Sequence, residues 1–341
     1  MAPVHALDPY YLGLAILVTT GYQLLGFAIA WTFQFDKITD FTGGGCSNFL
    51  LLALLTLLIG NTFYVRNVVA SVLVMVWATR LAGFLLFRVL KVGSDARFDE
   101  IRSHFFKFFA FWIGQIVWVW TVSLPVIILN SPAVSDPARG GVNPAFGTSK
   151  DIAGIVIWAL GWIVETVADA QKFYYKSTKP PRNQPNTYGI WAWSRHPPYF
   201  GEIMCWWGIW ILTISPSTNG ALAGSAKAAQ YGSVVSPLFT TLLLLFGSGV
   251  PTAEKPSARR FYLMTHGPRA PDEGVSAWTA YKAYLRSTSL LVPLPPALYR
   301  RLPEIVKRTV LLDWPIYRFD EKTDGPRAIE EERRKLGEGL S

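Results

Sequence analysis

Seven apolar windows punctuate the chain, most of them near the roughly 20 residues that an α-helix needs to cross a hydrocarbon core. They run Tyr10–Phe33, Asn48–Tyr64, Asn67–Val89, Phe105–Leu129, Asp151–Asp169, Tyr199–Ile214 and Val234–Val250, the second and sixth being short. This pattern predicts an all-α polytopic membrane protein with about seven transmembrane helices. The link Val65–Arg66 predicts a tight hairpin between helices two and three. After Pro251 the pattern changes. Residues 251–275 are rich in Pro, Gly and charge and read as a loop. Trp278–Ser287 is helical by pattern, with Tyr281 and Tyr284 on one face. Leu290–Pro296 is apolar but too short to span, which suits docking at the interface. Arg300–Arg308 is basic, and Ala328–Leu336 reads as a charged helix or a disordered tail. The expected organisation is residues 1–66 as the first two transmembrane helices, 67–296 as the main membrane domain, and 297–341 as a charged cytosolic tail.

Composition agrees with a membrane setting. The chain is 51% hydrophobic and 16% charged, where soluble domains carry about 25% charged residues. The net charge of +9 is localised, since 16 of the 32 Lys and Arg follow Pro251. An anionic membrane leaflet or an anionic cofactor accounts for such clustering, and nucleic acid is not needed to explain it. Orientation follows from the short loops. Arg88, Lys91, Arg97, Arg102 and Lys107 fill one loop, and Lys172, Lys176, Lys179, Arg182 and Arg195 another. The alternate loops carry only Arg139 and Lys150, and Lys227. The rich loops are therefore expected in the cytosol, with the N-terminus lumenal or outside and the C-terminus cytosolic. Cys46 and Cys205 form no motif and are expected to be free thiols.

Polar chemistry concentrates between Glu165 and Trp210. Glu165 and Asp169 lie one turn apart at the cytosolic end of helix five, beside Lys172 and Lys176. Ser194-Arg195-His196-Pro197-Pro198-Tyr199-Phe200-Gly201-Glu202 opens helix six. Its two prolines pre-set the first turn. A helix start preceded by Arg and His favours an anion, and Arg195 can fork two phosphate oxygens. Gly201 lets another helix or a flat ring approach the backbone. Glu202 can accept from an amide, a ribose hydroxyl or a lysine. The same residues also describe a capped helix flanked by cytosolic positive charge. Arg80 sits deep in its window, where an ionisable group usually faces a partner or cavity. Snorkelling explains Arg88, near the helix end, better than Arg80. Gln23, Asn61 and Gln115 are lone amides suited to interhelical hydrogen bonds. No glycine-rich nucleotide loop, metal-ligand spacing or nucleophile elbow is present.

These residues resemble a known family. Asp169-x-x-Lys172, Gly189-Ile-Trp191, the Arg195–Glu202 core, Trp206-Trp207-Gly208 and Ser236-Pro237-Leu238-Phe239 are similar to the DUF1295 family, itself similar to the C-terminal domain of steroid 5α-reductases. The likeness extends back to Trp77-x-x-Arg80-Leu81, Arg88 and Gly93-x-Asp95-x-Arg97-Phe98, and forward to Tyr281-x-x-Tyr284 and Pro293. It implies NADPH held by cytosolic loops, and reduction of a carbon–carbon double bond in a lipid held within the bundle. Carried over, the cofactor contacts would be Arg80, Glu165, Asp169, Lys172, Arg195, His196, Tyr199, Glu202 and Tyr284. No catalytic residue or metal is assigned. Steroid reductases keep a Tyr three residues before the helix-three Arg, where this chain has Trp77, and a Glu on helix two, where it offers Asn61 and Tyr64. Pro198 stands where relatives more often have Asn. The Arg-His-Pro-x-Tyr core also resembles isoprenylcysteine-type methyltransferases, which use S-adenosylmethionine, with Glu254 in place of their downstream Glu. A membrane protein that keeps the scaffold without catalysis is the third reading. A eukaryotic chain of this kind is expected in the endoplasmic reticulum membrane.

Overall fold

A computed structural model describes residues 4, 6–33, 46–61, 63–92, 104–270 and 276–338. The described residues are helical, and the only extended pairing among them is an isolated bridge between Ser194 and Ser289. The long helices are α1 (Leu12–Phe33), α2 (Cys46–Gly60), α3 (Val65–Val92), α4 (Phe105–Asn130), α5 (Ser149–Ser177) and α6 (Pro197–Thr213). There follow α7 (Gly224–Gly232), α8 (Val235–Leu242), α9 (Val250–His266), α10 (Ala277–Ser287), α11 (Pro296–Arg301), α12 (Glu304–Thr309) and α13 (Asp324–Glu338), with short turns between them left unlabelled. The first six apolar windows fall on α1 to α6, and the seventh runs over α8, a π-helical turn at Leu243–Gly247 and the start of α9. Five stretches are long and apolar enough to cross a membrane: Leu12–Phe33, Val65–Phe87, Phe105–Ser135, Ser149–Ser177 and Gly224–His266. The chain is thus a multi-pass membrane protein by its helices. On α5, Ile152, Val156, Leu160, Ile163 and Val167 recur at helical spacing and are all exposed, which suits a face turned to lipid.

Two expectations about boundaries are corrected. Val65 and Arg66 are not a link but the first turn of α3. The turn lies just before, where Asn61 takes a left-handed φ of 48°, a conformation that Asn tolerates at a helix end. Residues 251–275 are not all loop, because Val250–His266 forms α9. Pro251 occupies the first turn, where its missing N–H costs nothing. The residues that follow include Ala, Glu, Lys, Arg, Leu and Met, all good helix formers. The Gly93–Phe98 turn lies outside the described residues.

The chain forms two compact units, one of 1–159 with 204–240, the other of 160–203 with 241–341. In the first, aromatic rings fill the interior. Phe49 meets Trp77 and Trp206 with ring centroids 5.3 Å apart in each pair, and Trp77 meets Trp206 at 4.9 Å. Backbones approach closely as well. A Cβ on Gly154 of α5 would stand 2.6 Å from the Leu212 nitrogen of α6, and one on Gly208 would stand 2.6 Å from the Trp158 nitrogen. Helices in a bilayer gain little from hydrophobic exclusion, so such close packing is a principal adhesive.

Arg66 holds one end of this unit. It is fully buried and donates to Asp151 twice, from Nε to Oδ1 at 2.7 Å and from Nη2 to Oδ2 at 2.8 Å. It also donates to the Pro144 carbonyl at 3.0 Å, the Ala145 carbonyl at 3.3 Å and the Asn143 side chain. Asp151 in turn accepts from the Thr148 nitrogen at 2.9 Å, while the Thr148 hydroxyl accepts from the Asp151 nitrogen at 3.2 Å. That reciprocal pair caps the start of α5. Next to Arg66 in sequence, Asn67 donates to the Asn130 side chain at 3.1 Å, and Asn130 donates to Ser71 at 3.0 Å and Thr56 at 3.2 Å. Burying Arg66 is tolerable because the paired carboxylate and carbonyls replace its water. Of the lone amides, Gln23 is fully buried with no hydrogen-bond partner among the described residues.

Removing one partner of a buried pair strands the other charge at a cost of about 3–5 kcal/mol. Arg66→Ala is therefore expected to lower the thermal midpoint of the detergent-purified protein sharply, and Arg66→Ala/Asp151→Ala to recover part of the loss. A single variant that melts with the parent would refute this role.

Candidate functional site

The second unit contains most of the residues singled out in the sequence. Its frame begins where α5 meets α6. A Cβ on Gly201 would lie 2.6 Å from the Gly161 carbonyl oxygen and 2.8 Å from the Glu165 Cβ. Of the two occupants open to Gly201, the neighbour is a helix. Glu165 is buried at this contact, Asp169 is half-buried one turn on, and Lys172 is exposed.

Trp191 organises the next layer. Its indole donates to the Ala168 carbonyl at 2.9 Å, and the Lys172 ammonium lies 4.8 Å from its ring centre. The Tyr284 hydroxyl donates to the Trp191 carbonyl at 3.1 Å. Gln171 accepts from the Ile190 nitrogen at 2.8 Å. The tight turn there needs Gly189, whose φ of 60° and contact with Gln171 leave no room for a side chain. These contacts bring Lys172 and Tyr284 to Trp191, one at its ring and the other at its carbonyl.

The strip 289–294 runs alongside the Arg-His-Pro motif. Arg195 and His196 donate their backbone N–H groups to the carbonyls of Ser289 and Leu290, at 2.8 and 3.1 Å. Ser194 donates its hydroxyl to the Leu291 carbonyl at 2.8 Å. Leu290 and Leu291 are buried beside Val250 and Tyr317, with Tyr199 and Phe200 packed against them. The apolar strip too short to span thus docks on the motif.

The start of α6 differs from the expectation of an amide cradle. Pro197 and Pro198 have no N–H, and the Tyr199 and Phe200 nitrogens both donate to the His196 carbonyl, at 3.1 and 3.3 Å. Recognition of an anion here falls to side chains.

Arg195 is the centre of those side chains and only 6% exposed. Its Nη1 donates to Glu254 Oε2 at 2.6 Å, and its Nη2 lies 3.0 Å from Asp313 Oδ1. Glu254 Oε1 is 2.7 Å from His196 Nε2. The His196 ring stacks on Tyr199, with centroids 5.2 Å apart. Tyr299 donates its hydroxyl to Asp313 Oδ2 at 2.6 Å. Burial opposes the charge on Arg195, but the carboxylates of Glu254 and Asp313 outweigh it and raise its pKa above the ordinary value. Burial, with Asp313 adding to it, pushes the Tyr299 phenol up, so it acts as a neutral donor. The Tyr281 and Tyr284 phenols are raised chiefly by burial too.

A cavity of about 310 Å³ opens beside this cluster. Arg195, Tyr299 and Asp313 line it together with Trp278, Lys282 and Arg286. Arg195 Nε makes no hydrogen bond among the described residues. Glu202 is half-buried in the second turn of α6, and Arg80 is half-buried on α3 in the other unit.

Asp313 and Tyr299 were not anticipated. They lie in the segment read as a charged tail, which instead folds into this unit through α11 to α13. The signal was present: Asp313 is a lone acid between Val310-Leu311-Leu312 and Trp314, and an acid inside an apolar run needs a buried partner. Glu254 had been noted, but not as the residue that holds both Arg195 and His196.

A model of the family described as protein of unknown function DUF1295 matches residues 26–265, and the chain belongs to that family. No curated protein and no solved structure matches it.

Glu254 bonds two motif residues, whereas His196 bonds one carboxylate. Glu254→Ala leaves Arg195 buried with half its counter-charge and is expected to cost about 3–5 kcal/mol. His196→Ala is expected to cost about 1 kcal/mol. Thermal melts of the two variants in detergent test the order, and a His196→Ala loss equal to that of Glu254→Ala would overturn it.

Proposed function

We propose that this DUF1295 protein is a membrane-embedded reductase that uses NADPH to saturate a carbon–carbon double bond in a lipid. The observation that carries this reading is the cavity beside Arg195, which combines unfilled guanidinium capacity with cations and aromatic rings. Arg195, Lys282 and Arg286 suit phosphate oxygens. Trp278 lines the same cavity, with the Lys282 ammonium 5.6 Å from its ring centre. Asp169, Glu165, Glu202 and Tyr284 are of the kind that suits ribose hydroxyls and an amide, and Lys172, His196 and Tyr199 complete the proposed contacts, although Arg195 is the one carried-over contact that lines the cavity. When bound, NADPH supplies a hydride for one alkene carbon, the other taking a proton. The chain's task is to hold that donor close to the acceptor and to keep water away.

The residue that supplies the proton is not assigned. Trp77 stands where the steroid reductases keep a Tyr. It is 1% exposed, and its indole nitrogen has no hydrogen-bond partner among the described residues. An indole can donate a hydrogen bond to an oxygen on which charge develops, but it does not release its proton. The proposal includes seven spans, with α2 and α6 as short ones, the N-terminus lumenal or outside and the C-terminus cytosolic. A eukaryotic chain would reside in the endoplasmic reticulum.

One observation favours the methyltransferase reading as second. Glu254 is bonded to both Arg195 and His196, as a motif shared with those enzymes would arrange it.

A ligand at a hundred times its dissociation constant stabilises a protein by about 2.7 kcal/mol. NADPH is expected to raise the thermal midpoint of the purified protein, and Lys282→Ala/Arg286→Ala to reduce that rise at fixed NADPH. The absence of any NADPH effect would sink the reductase reading. A rise with S-adenosylmethionine alone would put the second reading in its place.

A further inference from the structure

A larger cavity, about 690 Å³, lies elsewhere in the second unit, between α9 and α13. Helical spacing builds both walls. Lys255, Arg259 and Leu263 follow one another at four-residue intervals on α9, and Arg260 and Met264 run beside them. Asp324, Arg327 and Glu331 supply the wall from α13. The two helices are held together at both ends of this trough. Gly325 passes so near Tyr262 that a Cβ there would sit 2.6 Å from its hydroxyl oxygen. Farther along, Arg259 Nη2 meets Glu331 Oε2 at 3.1 Å.

Its chemistry is two-sided. Five cations line it, Lys255, Arg259, Arg260, Arg269 and Arg327, against the carboxylates of Asp324, Glu331 and Glu332. Arg259 Nε and Nη2 are buried atoms that make no aligned hydrogen bond among the described residues. Leu263, Met264 and Phe319 add an apolar floor. The volume falls within the roughly 300–1,000 Å³ of small-ligand sites. Fork-shaped guanidinium groups suit phosphate oxygens, and the floor suits a hydrocarbon body attached to them. A soluble phosphate would leave that floor uncovered. The trough also follows directly on the apolar run of α8, within the stretch Gly224–His266 that is long and apolar enough to cross a membrane. Lipid headgroups are therefore the phosphates at hand.

We propose that the α9–α13 trough is a binding site for an anionic phospholipid carrying a terminal phosphate monoester. Its cations grip the phosphate, and Leu263, Met264 and Phe319 cover the start of the acyl region. Glu331 is the internal anion that the headgroup displaces from Arg259. The site is separate from the cavity beside Arg195 and shares only Phe319 with it.

The test uses the full chain in nonionic detergent with three probes: dioctanoyl phosphatidic acid, dioctanoyl phosphatidylcholine and glycerol 3-phosphate. Binding is read by thermal shift and by calorimetry. Phosphatidic acid is expected to bind at least tenfold more tightly than either other probe. Arg259→Ala/Arg327→Ala is expected to weaken it at least tenfold, and Glu331→Gln to tighten it severalfold, while Glu330→Gln, on the exposed side of α13, leaves it unchanged. Equal binding of phosphatidylcholine would overturn the proposal. Equal binding of glycerol 3-phosphate would show a site for free phosphate and overturn the lipid assignment. Equal weakening by Arg333→Ala/Arg334→Ala would reduce it to general surface charge. Should the double Arg variant fail to fold, Glu331→Gln decides alone: its melting point without lipid checks its fold, and an unchanged affinity refutes the proposal.

Discussion

A guanidinium taken out of water must be met by carboxylates or it will not stay charged and buried, and the second unit is arranged around that demand. Stripping water from such a charge costs several kcal/mol even after the surroundings relax. Arg195 meets the cost with two acids from well-separated parts of the chain, Glu254 on α9 and Asp313 beyond α12. Each acid has a second partner, His196 for one and Tyr299 for the other. The result is a chain of charge-assisted bonds from the start of α6 to the C-terminal segment. Because the links are shared, the loss of one acid is felt at every group it holds. The family match ends at residue 265, so Glu254 lies within the family's segment while Asp313 and Tyr299 lie past it. The Arg-His motif is thus held by one acid inside the matched segment and one beyond it.

The first unit solves a comparable problem differently. Its buried charge, Arg66, is met by a carboxylate that also caps a helix, and by carbonyls of the short turn before that helix. One acid thus ends two sets of unsatisfied donors, those of the guanidinium and those of the α5 N-terminus. The amide and hydroxyl groups of Asn67, Ser71, Thr56 and Asn130 extend the same polar layer across α2, α3 and α4. Apolar packing has no preferred rotation about a helix axis, whereas a bonded amide does. A layer of this kind fixes how those helices turn toward one another.

The spans were legible because their signal is coarse: about twenty apolar residues leave few alternatives in water or lipid. Their ends were less so. Val65 and Arg66 read as a link because a charge normally marks the edge of a membrane window, and the sequence does not display that Asp151, 85 residues on, neutralises it. Residues 251–275 read as loop because they are rich in Pro, Gly and charge, although a first-turn proline such as Pro251 is compatible with a helix. In the site, local features were visible and distant ones were not. Arg195, His196, Tyr199 and the Gly201 contact sit in one contiguous motif. Asp313 acquires its meaning only when the chain folds back, a long-range pairing that no local pattern encodes. The helix start shows a different limit. Two prolines correctly marked where α6 begins, but their missing N–H groups also remove the backbone donors that a helix start usually offers.

The glycines of α5 and α6 carry a further consequence. Gly154 meets Gly208 in the first unit, and Gly161 meets Gly201 in the second. Both helices space their glycines seven residues apart, two helical turns, so each helix presents its two glycines on one face. An insertion or deletion between Gly154 and Gly161, or between Gly201 and Gly208, would break one meeting while keeping the other. No such bookkeeping binds the connection between the helices. Residues 178–188, after α5 and before the Gly189 turn, carry Lys179 and Arg182 and can change in length or charge without disturbing either contact. Length is thus constrained within each glycine contact and left open in the segment that joins the two helices.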